Sequence, residues 1–127
     1  MNGTWPRFHG PWPIELPGYV SDDRLDALIR GADLVVHPSL YEGFGLILVE
    51  AMARSVPLVV ADATALPETA ADSAERFDPR SPDACADAIE RALGRRDELI
   101  DAGRRRVAQL SWRRTARETA AVYREAA

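Results

Sequence analysis

The sequence of 127 residues predicts an α/β fold, a doubly wound parallel sheet with helices packed on it. Two apolar runs, residues 33–37 and 57–61, have the length and composition of strands that are buried on both faces, as parallel strands usually are. Stretches with helical periodicity and capping residues alternate with these runs. Because parallel strands need long crossover connections, this alternation indicates βαβ units.

The first elements are predicted from short-range signals. Residues 14–16 alternate apolar and polar side chains and are predicted to form a short strand. Ser21 or Asp22 is expected to cap a helix that runs to about Arg30, since a short polar side chain can accept a hydrogen bond from the first free amides. Gly31 is a suitable stop for that helix.

The second half of the chain is predicted to be mostly helical. Pro67, Glu68 and Thr69 indicate a short helical turn, and residues 76–78 a last short strand. Ser81 followed by Pro82 is a strong start signal, because proline is favoured at the first helical position. Helices are predicted at 82–93, at 95–109 and from Ser111 onward. On the first of them, Ala86, Ile89 and Leu93 are expected to share the buried face.

Composition limits the classes of function. An apolar fraction of 46% and a charged fraction of 28% are ordinary for a globular domain. The net charge of -4 favours no nucleic-acid partner. The single cysteine, Cys85, excludes an internal disulfide and makes a zinc cluster improbable. It is expected to be a buried or half-buried thiol. We expect a cytoplasmic protein, and we leave open a peripheral contact with a membrane surface.

The chain is organised around residues 38–54. Pro38 ends the first buried strand, and a loop with Gly43 and Gly45 on either side of Phe44 leads into a helix. In open parallel sheets, ligands bind outside the carboxyl ends of the strands. The first turn of a helix there offers unpaired amides and a partial positive charge, which suit phosphate or sugar oxygens.

Two carboxylates flank this helix start. Glu42 stands in the loop, and Glu50 lies about a turn and a half into the helix, where side chains lean back toward the amino end. A carboxylate suits a vicinal diol such as a ribose better than it suits a phosphate. Both side chains are therefore candidates to line the same ligand-binding cleft at the helix start.

These residues resemble the Glu-x7-Glu signature of the retaining GT-B glycosyltransferases of family 4, also called group 1 glycosyl transferases. Glu42 and Glu50 have seven residues between them, with Gly43-Phe44-Gly45 after the first and Ala51-Met52 after the second. Further stretches that are similar to the family in order and spacing are residues 18–22, 66–68, 77–79 and 111–112. The resemblance implies a Rossmann-like, donor-binding domain, incomplete, at residues 14–127, with residues 1–13 as an amino-terminal arm.

The resemblance also implies roles for individual residues. Glu42 would face the donor sugar near the transferring centre, and Glu50 would accept hydrogen bonds from the ribose of the nucleotide. The donor would be a UDP-, GDP- or ADP-sugar, and no metal or other cofactor is implied. Backbone amides for sugar hydroxyls or phosphate would come from Gly43, Phe44, Gly45 and Leu46.

In this family a complete enzyme has two Rossmann-like domains with the active site between them. These 127 residues contain no stretch similar to the acceptor-side domain. They also contain no stretch similar to the first strands of the donor domain, which carry the family's pair of basic residues that contact the donor phosphates. We therefore expect little or no transferase activity from the chain alone.

The main alternative to a transferase domain is a non-catalytic module, or half of a split enzyme that binds a partner chain or a second copy. Trp5 and Trp12 would then cover a sheet edge. A hydrolase with Glu42 and Glu50 as its acid–base pair, and a receiver or flavodoxin-like module, are less favoured alternatives.

Several neighbouring residues have structural interpretations. Ser55 stands where the family usually has glycine, and Ile47 where it often has proline. Ser39 is expected to bond the loop backbone, His37 to be a satisfied histidine at the rim of the core, and Arg54 to be a solvated helix residue.

Overall fold

The computed structural model describes residues 14–126, in which helices and three short strands alternate before a helical carboxyl-terminal part. The strands are β1 (Val35–His37), β2 (Leu58–Ala61) and β3 (Ala74–Phe77). The helices are α1 (Asp22–Gly31), α2 (Leu46–Ala53), α3 (Leu66–Ala70), α4 (Pro82–Gly94), α5 (Arg96–Ala108) and α6 (Trp112–Ala126). The predicted arm at 1–13 lies outside the described residues.

The sheet is parallel, with strand order β1-β2-β3. Val36 of β1 is in register with Val59 of β2, which in turn pairs with Glu75 of β3. The whole of β2 is buried, which is why its residues form a continuous apolar run instead of an alternating one. The parallel Rossmann-like fold that the sequence predicted is confirmed.

Helices cover both faces of this sheet. Successive side chains of a strand point to opposite faces. On β3, the Glu75 carboxylate contacts Arg91 of α4 at 2.9 Å and Arg95 at 2.6 Å. The next residue, Arg76, instead donates to the carbonyls of Pro67 at 3.2 Å and Ala71 at 2.8 Å, at α3. The two helices therefore lie on opposite sides of the sheet, as a doubly wound fold requires.

Helix α5 joins the layer that contains α2 and α3. A Cβ on Gly103 would lie 3.2 Å from the Met52 side chain, so α5 packs closely on α2 at this point. The Arg106 guanidinium donates to the carbonyls of Glu68 and Thr69, both at 2.9 Å, and so connects α5 to α3. By contrast, α6 has no buried residue.

Three predicted helix caps are confirmed. Ser21, Ser81 and Ser111 each accept a hydrogen bond from the backbone amide three residues later, at 3.3, 3.1 and 3.1 Å. Each bond satisfies one of the amides that a helix start leaves without a partner. The three helices therefore begin within one residue of their predicted starts.

Two local predictions are wrong. Residues 14–16 form no strand, and their apolar side chains Ile14 and Leu16 are 51% and 60% exposed. Prolines at 13 and 17 flank this segment, and its alternation finds no neighbouring strand. On α4, Ile89 packs against the core as predicted, but Ala86 and Leu93 are exposed and the fully buried residues are Ala88 and Ala92. The predicted core face is therefore wrong at two of its three residues.

Candidate functional site

The start of α2 is formed by a glycine whose conformation other residues rarely adopt. Gly45 has φ 83° and ψ 62°, in the left-handed region, and α2 begins at the next residue. No side chain caps this helix, and its first turn holds no acidic residue. The amides and the partial positive charge of the first turn are therefore not neutralised by a capping side chain.

Gly45 is also required by close packing. A Cβ at this position would lie 2.9 Å from Leu66 Cδ2 and 3.4 Å from Leu48 Cδ1. Both leucines are fully buried, so neither side chain can swing into solvent. The loop backbone thus approaches α3 more closely than any larger residue permits.

Two threonines of the next crossover hold the glycine loop. The Glu42 amide donates to Thr64 Oγ1 at 2.9 Å, and Thr69 Oγ1 donates to the Phe44 carbonyl at 2.5 Å. Thr64 has φ 46°, an unfavourable conformation for a β-branched residue, which is typical of functional loops. The loops after β1 and β2 are therefore joined side by side at the carboxyl edge of the sheet. Sequence reasoning missed both threonines, because the partners lie 22 and 25 residues apart.

The Glu42 carboxylate points back toward β1. Its Oε1 lies 3.0 Å from His37 Nε2 and accepts a hydrogen bond from Ser39 Oγ at 3.3 Å. The expectation that Ser39 bonds the loop backbone is wrong, because its partner is this side chain. His37 is half-buried and partnered, as predicted for a histidine at the rim of the core.

Glu50 lies on the exposed face of α2. Leu46 is one turn before it on the same face, and both residues are exposed, whereas Leu48, Ala51 and Met52 are buried. Side chains on a helix lean toward its amino end, and the amino end of α2 is where the glycine loop joins it. The structure thus places both predicted glutamates near the start of α2, one in the loop and one on the helix.

Arg54, one turn after Glu50, is held by contacts with other parts of the chain. Arg54 Nε contacts Asp26 Oδ1 at 2.6 Å, and its Nη1 donates to the Glu50 carbonyl at 2.8 Å. Asp26 also contacts Arg30 at 2.6 Å. The hydrogen bond from Arg30, and to a smaller extent the one from Arg54, holds the pKa of Asp26 below its ordinary value. The expectation of a solvated Arg54 is therefore wrong, because the side chain joins α2 to α1.

An apolar groove of about 200 Å³ borders the helix start. Phe44 and Leu46, on either side of Gly45, line this groove together with Trp112, the first residue of α6. The remaining lining residues are Val49, Leu110, Ser111 and Thr115. Polar amides and an apolar groove therefore adjoin at the same place, a combination common in sites for small organic ligands.

The described part of the chain contains neither a group of metal-ligating side chains nor a membrane-spanning helix. Across residues 14–126, no three His, Cys, Asp or Glu side chains are grouped so that they could hold a metal ion. No helix in the same range is long and apolar enough to span a bilayer.

The chain is similar to known glycosyltransferases. The family model described as "Glycosyl transferases group 1" matches residues 13–106. The chain is 40% identical over 114 residues to an MMP alpha-(1->4)-mannosyltransferase of Mycolicibacterium hassiacum, covering 84% of this chain and 28% of that protein. It is also 40% identical over 116 residues to a D-inositol 3-phosphate glycosyltransferase of Salinispora tropica, covering 87% of this chain and 24% of the relative.

A solved structure agrees with these sequence relatives. The sucrose-phosphate synthase from Thermosynechococcus elongatus superposes with a TM-score of 0.71 and 31% sequence identity, over 85% of this chain and 29% of that chain. The chain thus spans between 24% and 29% of the length of these three proteins. It belongs to the group 1 glycosyl transferases, the family that its glycine loop and paired glutamates predicted.

Proposed function

We propose that this chain binds a nucleotide-activated sugar, a UDP-, GDP- or ADP-sugar, at the start of α2. In this role it supplies the donor-binding part of a retaining transfer of the sugar to an acceptor hydroxyl. Membership of the group 1 glycosyl transferases supports a transferase role. Two relatives, a mannosyltransferase and an inositol phosphate glycosyltransferase, agree with it.

The uncapped start of α2 is the observation that carries the proposal. The amides that follow Gly45 have no capping side chain and lie at the carboxyl edge of the sheet. Such amides and the helix dipole stabilise phosphate groups, so they suit a diphosphate both in the bound donor and as a leaving group. No metal ion is needed for that stabilisation.

The two glutamates have separate roles in this proposal. Glu50, exposed one turn above Leu46, accepts hydrogen bonds from the ribose hydroxyls of the nucleotide. Glu42, in the loop before the helix, faces the donor sugar. The amides of Gly43, Phe44, Gly45 and Leu46 complete the contacts to sugar hydroxyls and phosphate.

The proposal includes low activity for the 127 residues by themselves, because they span only 28% of the mannosyltransferase relative. A transfer assay with UDP-, GDP- and ADP-sugars tests this part of the proposal. Little or no turnover is expected, whereas robust turnover by the pure chain would show that the site is complete.

Nucleotide binding by titration calorimetry tests the main claim. We expect the wild-type chain to bind at least one of UDP, GDP and ADP. Glu50→Ala should weaken that binding roughly tenfold or more, because it removes hydrogen bonds to a charged acceptor. Glu90→Ala is the matched control, since Glu90 is also an exposed helical glutamate but lies on α4. Equal binding by wild type and Glu50→Ala would refute the assignment of Glu50.

A second candidate function is a partner-binding module that acts with another chain, either an acceptor domain or a second copy. Among the described residues, β1 pairs only with β2, so its other edge carries unpaired backbone groups. Size-exclusion chromatography with light scattering measures the oligomeric state of the chain and whether it binds a partner. A dimer supports the candidate function, and a clean monomer that acquires no partner argues against it.

A further inference from the structure

We propose that His37 and Ser39 are positioning residues that orient the Glu42 carboxylate toward the donor sugar. The inference rests on the proposed function, because it concerns how the same site holds one of its two glutamates. It adds two residues of the strand end to a site that the glycine loop and α2 otherwise form.

The geometry of the Glu42 carboxylate carries the inference. His37 Nε2 at 3.0 Å and Ser39 Oγ at 3.3 Å both contact the same oxygen, Oε1. Among residues 14–126, both hydrogen bonds to the Glu42 carboxylate fall on Oε1, and the Glu42 side chain is 32% exposed. One oxygen is therefore held by the protein, while the other is free to accept a hydrogen bond from a ligand hydroxyl.

His37 and the backbone of Glu42 are each anchored to the rest of the fold. His37 is the last residue of β1, its side chain is 20% exposed, and its backbone is in register with Val60 of the buried central strand. The Glu42 backbone is fixed independently through Thr64 Oγ1 at 2.9 Å. A carboxylate in its ionised form only accepts hydrogen bonds, so in that form the contact requires a hydrogen on His37 Nε2.

Holding the side chain in advance has a direct effect on binding. A free glutamate has several rotamers, and a ligand that needs one of them must restrict the others when it binds. The contacts from His37 and Ser39 impose that restriction before the ligand arrives. Losing them should weaken binding of a ligand that uses Glu42 and leave a ligand that does not reach Glu42 unaffected.

The experiment compares each nucleotide sugar with its own nucleoside diphosphate. Calorimetry gives Kd values for UDP-glucose and UDP, GDP-mannose and GDP, and ADP-glucose and ADP. The proteins are the wild-type chain, His37→Leu, His37→Gln and Ser39→Ala. Glutamine places an amide hydrogen near the position of Nε2, so His37→Gln is the conservative variant that should rescue the contact.

The expected result is a loss that depends on the sugar. His37→Leu should weaken the nucleotide sugar about five- to tenfold more than the diphosphate, the size of one oriented hydrogen bond to a charged group. Ser39→Ala should do so about two- to threefold, and His37→Gln should stay within about twofold of wild type. Because Ser39→Ala is a small change in a loop, it tests the inference even if His37→Leu does not fold.

Other outcomes separate the inference from the proposed function. Equal weakening of sugar nucleotide and diphosphate, no weakening in His37→Leu or Ser39→Ala, or failure of His37→Gln to rescue would overturn the inference alone. A folded wild-type chain that binds none of the six compounds would overturn the proposed function and the inference with it.

Discussion

Replacing Gly45 with alanine should destabilise the chain by about 3 kcal/mol, within a range of about 1–5 kcal/mol. The φ of 83° puts alanine in the left-handed region, at a cost of about 1–2 kcal/mol. The added Cβ would also lie 2.9 Å from the fully buried Leu66 side chain, and repacking a filled core costs about 1–3 kcal/mol. The lower unfolded-state entropy of alanine offsets about 0.4–1 kcal/mol of this sum.

The neighbouring glycine is the matched control for this substitution. A Cβ on Gly43 meets no atom within 4 Å, and its φ is not positive. Gly43→Ala should therefore change the free energy of unfolding by less than about 0.5 kcal/mol. Urea denaturation followed by circular dichroism measures both variants. If Gly45→Ala unfolds at the same urea concentration as Gly43→Ala, the conformational and packing requirement at the start of α2 does not exist.

Two further predictions concern the turn after the carboxyl end of α2 and the contact of α2 with α1. Ser55→Gly should raise stability by about 0.5–1 kcal/mol, because Ser55 has φ 61° and glycine relieves that conformation; a lower urea midpoint would contradict this. Asp26→Asn should flatten the pH dependence of stability below about pH 4, because the pKa of Asp26 is lowered on folding by Arg30 and Arg54. The stability from a lowered carboxyl pKa is present above the unfolded value and is lost as the pH falls, so a variant as acid-sensitive as wild type would refute the role of this contact.

Predictions from the sequence succeeded where the signal was local. Residues 57–61 form a continuous apolar run, and Ser81 with Pro82 gives a cap and a first turn, so β2 and α4 were found near their true bounds. Residues 14–16 failed for the opposite reason, since three alternating side chains carry no information about whether a partner strand exists.

The candidate site also has features that the sequence could predict and others that it could not. The glycine loop and the two glutamates could be predicted, because their spacing along the chain is itself the signal. The contacts that hold them could not. Thr64 reaches Glu42 across 22 residues, and Arg54 reaches Asp26 across 28, and such pairs are set only when the elements pack. Ser55 is a partial exception, since its family position predicted a turn suited to glycine, and its φ of 61° agrees.

The exposed face of α6 is a feature that sequence periodicity alone could not interpret. Trp112, Ala116, Thr119 and Tyr123 fall on one stripe, which would ordinarily indicate a buried face. All four are exposed in the described chain, and Trp112 instead borders the groove beside the start of α2. An amphipathic pattern shows that a helix has an apolar side, but not what that side contacts.

The most direct test of the central claim is a titration of the 15N-labelled chain with UDP, GDP and ADP, followed by the chemical shifts of its backbone amides. The account predicts that the largest changes for the diphosphate that binds fall on residues 43–47, where the loop ends and α2 begins. Changes concentrated elsewhere, for example around Asp72 and Arg105 in the charged depression beside α5, would contradict it.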